Sequence, residues 1–130
     1  MEHRNVPAVR IVSFGYLHGD PPPAHVTLDL RVHFRDPHIS PKLRYMTAED
    51  FDVRDAVRRT PGIWALIEST CDLANAYLAG PGSAVLTIAV GCSGGRHRAP
   101  TVAGSLAESL RRDHDVEHQD RDLSKDVVER

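Results

Sequence analysis

The segment GCSGGRHR, residues 91–98, brings together a thiol, a hydroxyl, several glycines and a run of basic side chains. The glycines allow successive backbone N–H groups to turn toward one point, because no Cβ atom stands in the way. Arg96, His97 and Arg98 add positive charge, and an arginine guanidinium can hold two phosphate oxygens at once. The pattern therefore predicts a binding site for an anion such as phosphate.

Two other interpretations of this loop use the same residues. A tight strand-to-helix turn with solvated arginines needs no ligand. Cys92 and Arg98 also have the spacing of the phosphate loop in cysteine-dependent phosphatases, where a thiolate attacks phosphorus and the arginine holds the oxygens. However, Gly91 and Ala99 stand where that family has a histidine and a serine or threonine. A Walker A loop is excluded, because no lysine follows the glycines.

The sequence around the loop predicts a strand before it and a helix after it. Residues 84–91 are apolar at almost every position, which is typical of a parallel strand covered by helices. Residues 98–112 have helical character, with Pro100 tolerated in the first turn. The β-rich segment 8–15 predicts a second strand. Residues 26–34 alternate strictly between apolar and polar side chains, which predicts a third strand with one polar face.

Two further helices and a last strand complete the predicted order. We expect helices over residues 52–59 and from Pro61 to the residue before Gly80, and a strand over residues 115–120. This order predicts an α/β fold, built as a three-layer sandwich with a small mixed or mostly parallel sheet. Open α/β sheets bind ligands at the carboxyl ends of their strands, where residues 92–98 are expected to lie.

The composition is that of an ordinary globular domain. The chain has 130 residues, of which 41% are hydrophobic and 26% are charged, with a net charge of −2. This charge gives no general attraction to nucleic acid, and neither a membrane span nor a signal peptide is visible. Cys71 and Cys92 are expected to stay unpaired in a cytoplasmic protein. We expect one domain over residues 1–130, with its core at 8–122 and a polar tail at 123–130.

Eight histidines raise the question of a metal site. No HxxH or CxxC spacing joins them, so we expect neither a metal nor a cofactor. No paired carboxylates and no ordered triad are visible, so we assign no catalytic residue and favour a binding protein over an enzyme. The natural metal-ligand set, were a metal present, is His18, His33, His38 and His97.

Four segments, in a fixed order, carry a resemblance to a known family. They are SFGYLHG (13–19), LDLRVHFRDPH (28–38), LTIAVGCSGGRHRAPTVAGSLAESL (86–110) and DVEHQDRD (115–122). The most specific part is G-C-S/T-G-G-x-H-R, supported by S-F-G-x-x-x-G and D-x-R-x-x-x-x-x-P-H. Together these segments resemble the C-terminal domain of the RapZ (RNase adapter protein) family over nearly the whole chain.

The resemblance implies a domain that binds sugar phosphates and simple anions at its glycine-rich loop. In the best-known family members this domain senses glucosamine-6-phosphate and presents small regulatory RNAs to RNase E. The resemblance also implies which side chains meet the ligand. The residues expected to surround it are His18, Cys92, Ser93, Gly94, Gly95, His97 and Arg98, and those expected to line or brace the site are Asp29, Arg31 and His38.

The sequence departs from the family pattern in two ways. Full-length members carry an N-terminal P-loop nucleotide domain that is not seen here, so we expect a stand-alone module without kinase or ATPase activity. Residues 111–130 hold five Arg/Lys and seven Asp/Glu, unlike the basic RNA-binding tail of the family, so we expect weak RNA binding at most. The expected function is regulatory binding of a phosphorylated small molecule, such as glucosamine-6-phosphate, by a monomer or homodimer without membrane contact.

Overall fold

The computed structural model describes residues 6–129, in which strands and helices follow one another in the predicted order. Short 3₁₀ turns at Tyr16–His18 and Pro37–Ile39 follow the first two strands. The strands are β1 (Val9–Gly15), β2 (Val26–Asp29), β3 (Leu86–Cys92) and β4 (Val116–Asp120), and the helices are α1 (Phe51–Arg59), α2 (Ile63–Ala79) and α3 (Arg98–Leu110).

The four strands form one parallel sheet in the order β2-β3-β1-β4. The apolar strand β3 is an inner strand between β2 and β1, as the sequence predicts. Since all strands run the same way, their carboxyl ends share one edge of the sheet. The segments that follow Gly15, Asp29 and Cys92 therefore meet at this edge, where open α/β sheets bind ligands.

The main core lies between the sheet and the three helices. Ile11 of β1 and Ile88 of β3 are fully buried in one cluster with Val53 of α1, Ile67 of α2 and Leu106 of α3. Burial of these aliphatic side chains supplies the main driving force for folding. The cluster confirms the predicted α/β fold and fixes α3, and with it the loop before α3, against the sheet.

Aromatic side chains pack on β3 outside this main core. Phe14 is fully buried although it does not belong to the core cluster, and its ring lies 4.8 Å from that of Tyr16 in an edge-to-face arrangement. A Cβ atom at Gly91 would lie 2.4 Å from the Phe14 ring and 2.6 Å from the Tyr16 ring. Gly91 is therefore required by the close approach of these rings to the strand.

Strand β2 is shorter than the sequence predicts. The alternating pattern predicts a strand over residues 26–34, but β2 ends at Asp29, and Val32 is 83% exposed instead of facing the core. The cause lies in the polar side chains. The Asp29 carboxylate accepts hydrogen bonds from the backbone N–H of Arg31 at 3.0 Å and from its guanidinium at 3.0 and 2.7 Å. These bonds turn the chain away from the ladder.

Helix boundaries differ from the predictions by a few residues. Helix α2 begins at Ile63 and not at Pro61, because Gly62 has a φ of 92°, which is incompatible with a right-handed helix. Gly80 occupies the predicted C-cap position. Cys71 and Cys92 are both free, as expected. In the part of the chain that the structure describes, no helix has the length and apolar character needed to cross a bilayer.

Candidate functional site

The glycine-rich loop lies where the sequence places it, between the end of β3 at Cys92 and the start of α3 at Arg98. Its carbonyl groups are partly used: that of Ser93 accepts the Leu17 N–H at 3.0 Å, and that of Arg96 accepts the Ala48 N–H at 2.8 Å. Within residues 6–129, by contrast, the backbone N–H groups of residues 93–97 have no acceptor. Gly94 and Gly95 are buried. Buried donors without partners are rare, so these amides are a potential anion-binding surface.

Arg98 fixes this loop to the segment that follows β2. Its side chain is only 1% exposed, and Nη1 donates to the backbone carbonyls of Leu30 at 2.9 Å, Arg31 at 3.1 Å and Phe34 at 3.1 Å. Three carbonyl oxygens thus converge on one cationic nitrogen. The arrangement shows why residues 30–34 leave the strand and curve around the guanidinium.

The second terminal nitrogen of Arg98 is also engaged. Nη2 lies 3.2 Å from Oδ2 of Asp36 and donates to the Ser93 hydroxyl at 3.4 Å. Nε is buried and has no hydrogen-bond partner within the described residues. The sequence predicts that Arg98 grips the anion directly. In this structure its terminal nitrogens hold the protein, so only Nε remains available as a donor to a ligand.

A small cavity of about 10 Å³ lies beside the loop and has room for roughly one water molecule. Five of the residues expected at the ligand line it, namely His38, Cys92, Gly94, His97 and Arg98. The remaining lining residues are Asp36, Arg44, Arg96, Val127 and Val128. Of these, the sequence singles out only Arg96, as part of the positive charge of the loop. Asp36 directly precedes the matched Pro37-His38 pair and could have been found there. Arg44, Val127 and Val128 belong to none of the motifs quoted above.

The two histidines of the cavity are buried. His97 is 5% exposed, and its Nε2 lies 2.8 Å from the backbone carbonyl of Met46. Burial lowers the pKa of His97, although the bond to the Met46 carbonyl partly opposes this effect. A neutral ring with its proton on Nε2 fits this contact. The His38 backbone N–H donates to Asp36 Oδ1 at 3.0 Å, which caps the 3₁₀ turn that carries His38.

Arginines supply most of the charge around the cavity. Arg44 donates from Nε to the His38 carbonyl at 2.9 Å. Arg96 donates from Nη1 to the Lys125 carbonyl at 2.6 Å and from Nη2 to the Tyr45 carbonyl at 2.9 Å. With Arg98, three guanidinium groups and one carboxylate, that of Asp36, therefore stand among the described residues that line the cavity. This balance of charge favours an anion.

The other residues expected at the ligand lie outside the cavity. The ion pair between Asp29 and Arg31 is exposed, and the Arg31 hydrogen bonds lower the pKa of Asp29. The Arg31 guanidinium also lies 3.5 Å above the centre of the Tyr16 ring. The turn that contains His18 meets the loop through the bond from Leu17 to Ser93, and His18 Nε2 is buried without a hydrogen-bond partner among the described residues. The Tyr16–His18 turn thus contacts the loop at Ser93.

Gly95 touches the end of β1 because neither residue at the contact has a side chain. Gly95 has a φ of 75°, and a Cβ atom there would lie 2.6 Å from the Gly15 nitrogen. A Cβ atom at Gly15 would lie 2.4 Å from the Gly94 carbonyl carbon. The glycines of SFG and GCSGG are thus explained in part by packing against each other, before any ligand is considered.

Asp122 is a buried acidic residue just after the end of β4. The charged run at residues 112–122 by itself indicates a solvated, mixed-charge surface, but the Asp122 side chain within it is fully buried. Its carboxylate accepts the Gly15 N–H at 2.8 Å and pairs with Arg121 at 2.9 Å and Lys125 at 2.6 Å. Burial raises the pKa of Asp122, but these hydrogen bonds outweigh it, so the pKa lies below its ordinary value. Asp122 therefore joins the C-terminal region to the end of β1, next to the glycine-rich loop.

Cys92 is 2% exposed, and its sulfur accepts a hydrogen bond from the Ala99 N–H at 3.3 Å. The thiol therefore stabilises the start of α3, where the partial positive end of the helix lies. No group of three or more potential metal ligands occurs in the described part of the chain. The donor set beside the loop consists of amides and guanidinium groups, and such donors bind anions.

A parallel α/β sheet with a glycine-rich strand-to-helix loop, backbone donors that have no acceptor among the described residues and surrounding arginines is typical of a class of α/β domains with an anion site at this position. Within this class, the chain belongs to the RapZ C-terminal domain family, whose pattern matches residues 7–124. The match includes all four strands and all three helices described above. It confirms the family to which the motifs point.

Relatives from several bacteria carry the same domain. A nucleotide-binding protein of Desulforudis audaxviator is 35% identical over 97% of this chain, which corresponds to 44% of that protein. Nucleotide-binding proteins of Acidothermus cellulolyticus and Thermobifida fusca are 39% and 38% identical over 83% and 78% of the chain. These matches correspond to 36% and 35% of the two proteins. The chain thus spans less than half the length of these relatives.

Proposed function

We propose that this domain binds a phosphorylated small molecule, an amino-sugar phosphate such as glucosamine-6-phosphate, and that binding has a regulatory output. One observation carries the proposal: the backbone N–H groups of residues 93–97 have no acceptor within the described residues, and part of this run is buried. A phosphate group offers several acceptor oxygens to such a concave run of donors. Membership of a family with nucleotide-binding relatives supports a binding module.

The charges near the loop support a dianionic group. Arg44 uses Nε for the His38 carbonyl, and its terminal nitrogens have no acceptor among the described residues. Arg96 donates to two neutral carbonyls, which are weaker acceptors than a phosphate oxygen. The N-terminus of α3 adds a partial positive charge at the same place. The buried Nε atoms of Arg96 and Arg98 have no hydrogen-bond partner among the described residues and are further donors beside the loop.

His18, Arg31 and the Tyr16 ring, which lie in or against the turn that contacts the loop at Ser93, are the groups proposed to meet the sugar. Tyr16 presents an aromatic face that Arg31 covers, and His18 Nε2 has no hydrogen-bond partner among the described residues. Hydroxyl and amino groups of a sugar can satisfy a buried ring nitrogen and a carboxylate such as Asp29. In the proposed arrangement, the phosphate lies at the amides of residues 93–97 and the sugar lies toward the end of β2.

The proposal extends to location and partners. We propose a cytoplasmic protein that acts as a monomer or homodimer. RNA binding is proposed to be weak at most, because acidic residues outnumber basic ones in residues 111–130 and RNA affinity depends on neutralising phosphates.

Isothermal titration calorimetry with glucosamine-6-phosphate, inorganic phosphate, adenosine monophosphate and glucosamine tests the proposed ligand. We expect glucosamine-6-phosphate to bind more tightly than inorganic phosphate, and glucosamine, which lacks the phosphate, not to bind. If adenosine monophosphate binds more tightly than the sugar phosphate, the ligand class is a nucleotide. If no phosphorylated compound binds, the proposed function is wrong.

A pair of arginine variants tests the proposed position of the phosphate. Arg44→Gln should weaken phosphate binding about fivefold to twentyfold, because it removes a charge-assisted hydrogen bond. Arg10→Gln is the matched control, since Arg10 lies at the opposite end of its strand and pairs with Glu117. It should change the affinity less than about twofold. Equal effects of the two variants would contradict this position.

A further inference from the structure

Residues 125–129, here called the C-terminal segment, lie across the glycine-rich loop. The Lys125 carbonyl accepts the Arg96 Nη1–H at 2.6 Å, and the Lys125 ammonium pairs with Asp122 at 2.6 Å. At the far end, the Tyr45 hydroxyl donates to Glu129 Oε1 at 3.3 Å. Between these contacts, Val127 and Val128 are partly buried and form part of the cavity wall. The segment thus crosses the cavity from Arg96 to Tyr45.

The cavity is too small for the proposed ligand while this segment is in place. A volume of about 10 Å³ accommodates roughly one water molecule, whereas a phosphate group has a phosphorus atom and four oxygens. Gly94, Arg96 and His97, which carry amides without acceptors, line the same cavity as the two valines. An anion that binds these amides from the cavity side therefore has to displace Val127 and Val128.

We propose that the C-terminal segment is a displaceable plug, and that binding of a phosphorylated ligand releases it from the loop. This inference rests on the proposed function. In the closed form Arg96 donates to the neutral Lys125 carbonyl. In the ligand-bound form Arg96 donates to a phosphate oxygen, which is the stronger acceptor because it is charged. The ligand and the segment thus compete for Arg96 and for the cavity, and exposure of the segment is the regulatory signal.

Two of the contacts that hold the segment are suited to such an exchange. The bonds from Arg96 and from Tyr45 are both solvent-exposed, and exposed hydrogen bonds open at a small cost in free energy. The segment is neither strand nor helix, and residues 125–129 lie beyond the region that matches the family. The anchor at Asp122 is buried and remains with the domain. Opening is therefore confined to the residues after this anchor.

Proteolysis with a lysine-specific endoproteinase tests the release in the unmodified protein. The chain has two lysines, Lys42 and Lys125, so intact-mass spectrometry can follow each cleavage separately. We expect glucosamine-6-phosphate, and inorganic phosphate at higher concentration, to accelerate cleavage after Lys125 at least threefold. Cleavage after the exposed Lys42 is the internal reference and should change much less. Unchanged or slower cleavage after Lys125 at saturating ligand would show that the segment is not displaced.

A double variant tests the competition independently. Val127→Gly/Val128→Gly removes the apolar side chains that close the cavity. Ser124→Gly is the matched control, because Ser124 is exposed and does not line the cavity. We expect the double variant to bind glucosamine-6-phosphate about fivefold more tightly, since the closed form no longer reduces the apparent affinity. The control should be unchanged, and circular dichroism checks that both fold.

The outcomes separate this inference from the proposed function. Equal affinity of wild type and double variant leaves ligand binding intact and overturns the plug. Weaker binding by the double variant also overturns it, because the valines then belong to the binding surface. If glucosamine-6-phosphate and inorganic phosphate bind to neither protein, the proposed function is wrong, and the plug falls with it.

Discussion

The buried guanidinium of Arg98 lies with Nη2 3.2 Å from Oδ2 of Asp36, and this ion pair joins the loop before α3 to the segment after β2. The same guanidinium holds the carbonyls of Leu30, Arg31 and Phe34. The residue that the family pattern presents as a ligand contact is therefore also a structural centre of the site.

Arg98→Lys should lower the free energy of unfolding by about 2–4 kcal/mol, because one ammonium cannot replace the planar donors that hold three carbonyls and a carboxylate. Urea denaturation measures this change. Arg10→Lys, at an exposed ion pair, should cost less than about 0.5 kcal/mol. Equal stability of wild type and Arg98→Lys would show that the buried network contributes nothing to the fold.

Binding by Arg98 and Arg96 variants can be compared once the folded fraction is known. The sequence predicts that Arg98→Ala weakens phosphate-ligand binding about tenfold to a hundredfold and that Arg96→Ala has a much smaller effect. The structure adds a reason for the small effect: Arg96→Ala removes a ligand contact but also frees the C-terminal segment. Calorimetry at a temperature where both variants are folded measures the two affinities. Equal losses of affinity in Arg98→Ala and Arg96→Ala would contradict the proposed geometry of the site.

Gly95→Ala should destabilise the protein by about 2–4 kcal/mol and abolish ligand binding, because its Cβ would overlap the Gly15 nitrogen at a φ of 75°. Gly82→Ala is the control, since no atom lies within 4 Å of a Cβ atom there. It should change stability by less than about 0.5 kcal/mol. Thermal unfolding of both variants is the measurement. A Gly95→Ala protein as stable as wild type would show that the loop is not packed against β1.

The stability of the protein should fall in acid partly through Asp122. Its folded-state pKa is lowered below the ordinary value, so the unfolded state binds more protons in this range. The stability that Asp122 supplies is present above about pH 4 and is lost as the pH falls through the folded-state pKa. Urea denaturation between pH 2.5 and 6 should show a smaller slope for Asp122→Asn than for wild type. If the free energies of unfolding of wild type and Asp122→Asn change with pH by the same amount, the pKa of Asp122 is the same in the folded and unfolded states.

Anion affinity should rise as the pH falls from about 8 to 5.5, if His97 faces the anion. Burial lowers the pKa of His97, so it is neutral near pH 7, and a bound anion favours the protonated ring. Sulfate is the appropriate probe, because its charge does not change in this range. His97→Gln should abolish the pH dependence, whereas His33→Gln, at an exposed position, should retain it. Without ligand, the free energy of unfolding should instead fall as the pH falls below about 6.5. The unfolded state then binds a proton at His97, whereas the folded state, in which the pKa of His97 is lowered, does not.

The phosphatase interpretation predicts turnover that depends on Cys92, and we expect none. Arg98 holds backbone carbonyls and Asp36 with its terminal nitrogens, and the Cys92 sulfur is buried and accepts the Ala99 N–H. The p-nitrophenyl phosphate assay should therefore give the same background rate for wild type and Cys92→Ser. Hydrolysis that disappears in Cys92→Ser would restore the enzyme hypothesis.

Much of the fold could be predicted from local patterns. The apolar run that forms β3, the helical spacing in α2 and α3 and the glycines at the ends of elements predict their own positions, because each depends on neighbours within a few residues. The same holds for the part of the site that is contiguous in the chain, from Cys92 to Arg98. The family motifs add His38, which the structure also brings to the cavity.

The tertiary structure decided the rest. Strand β2 stops at Asp29 because the Asp29 carboxylate accepts the Arg31 backbone N–H, and the distant Arg98 takes the backbone carbonyls of Leu30 and Arg31. Arg44, Val127 and Val128 reach the cavity, and Asp122 reaches Gly15, only because parallel strands and their connections end at one edge of the sheet. A charged residue in a polar segment gives no sign in the sequence that it will be buried. Its partner is a backbone amide more than a hundred positions away, and only the folded chain brings the two together.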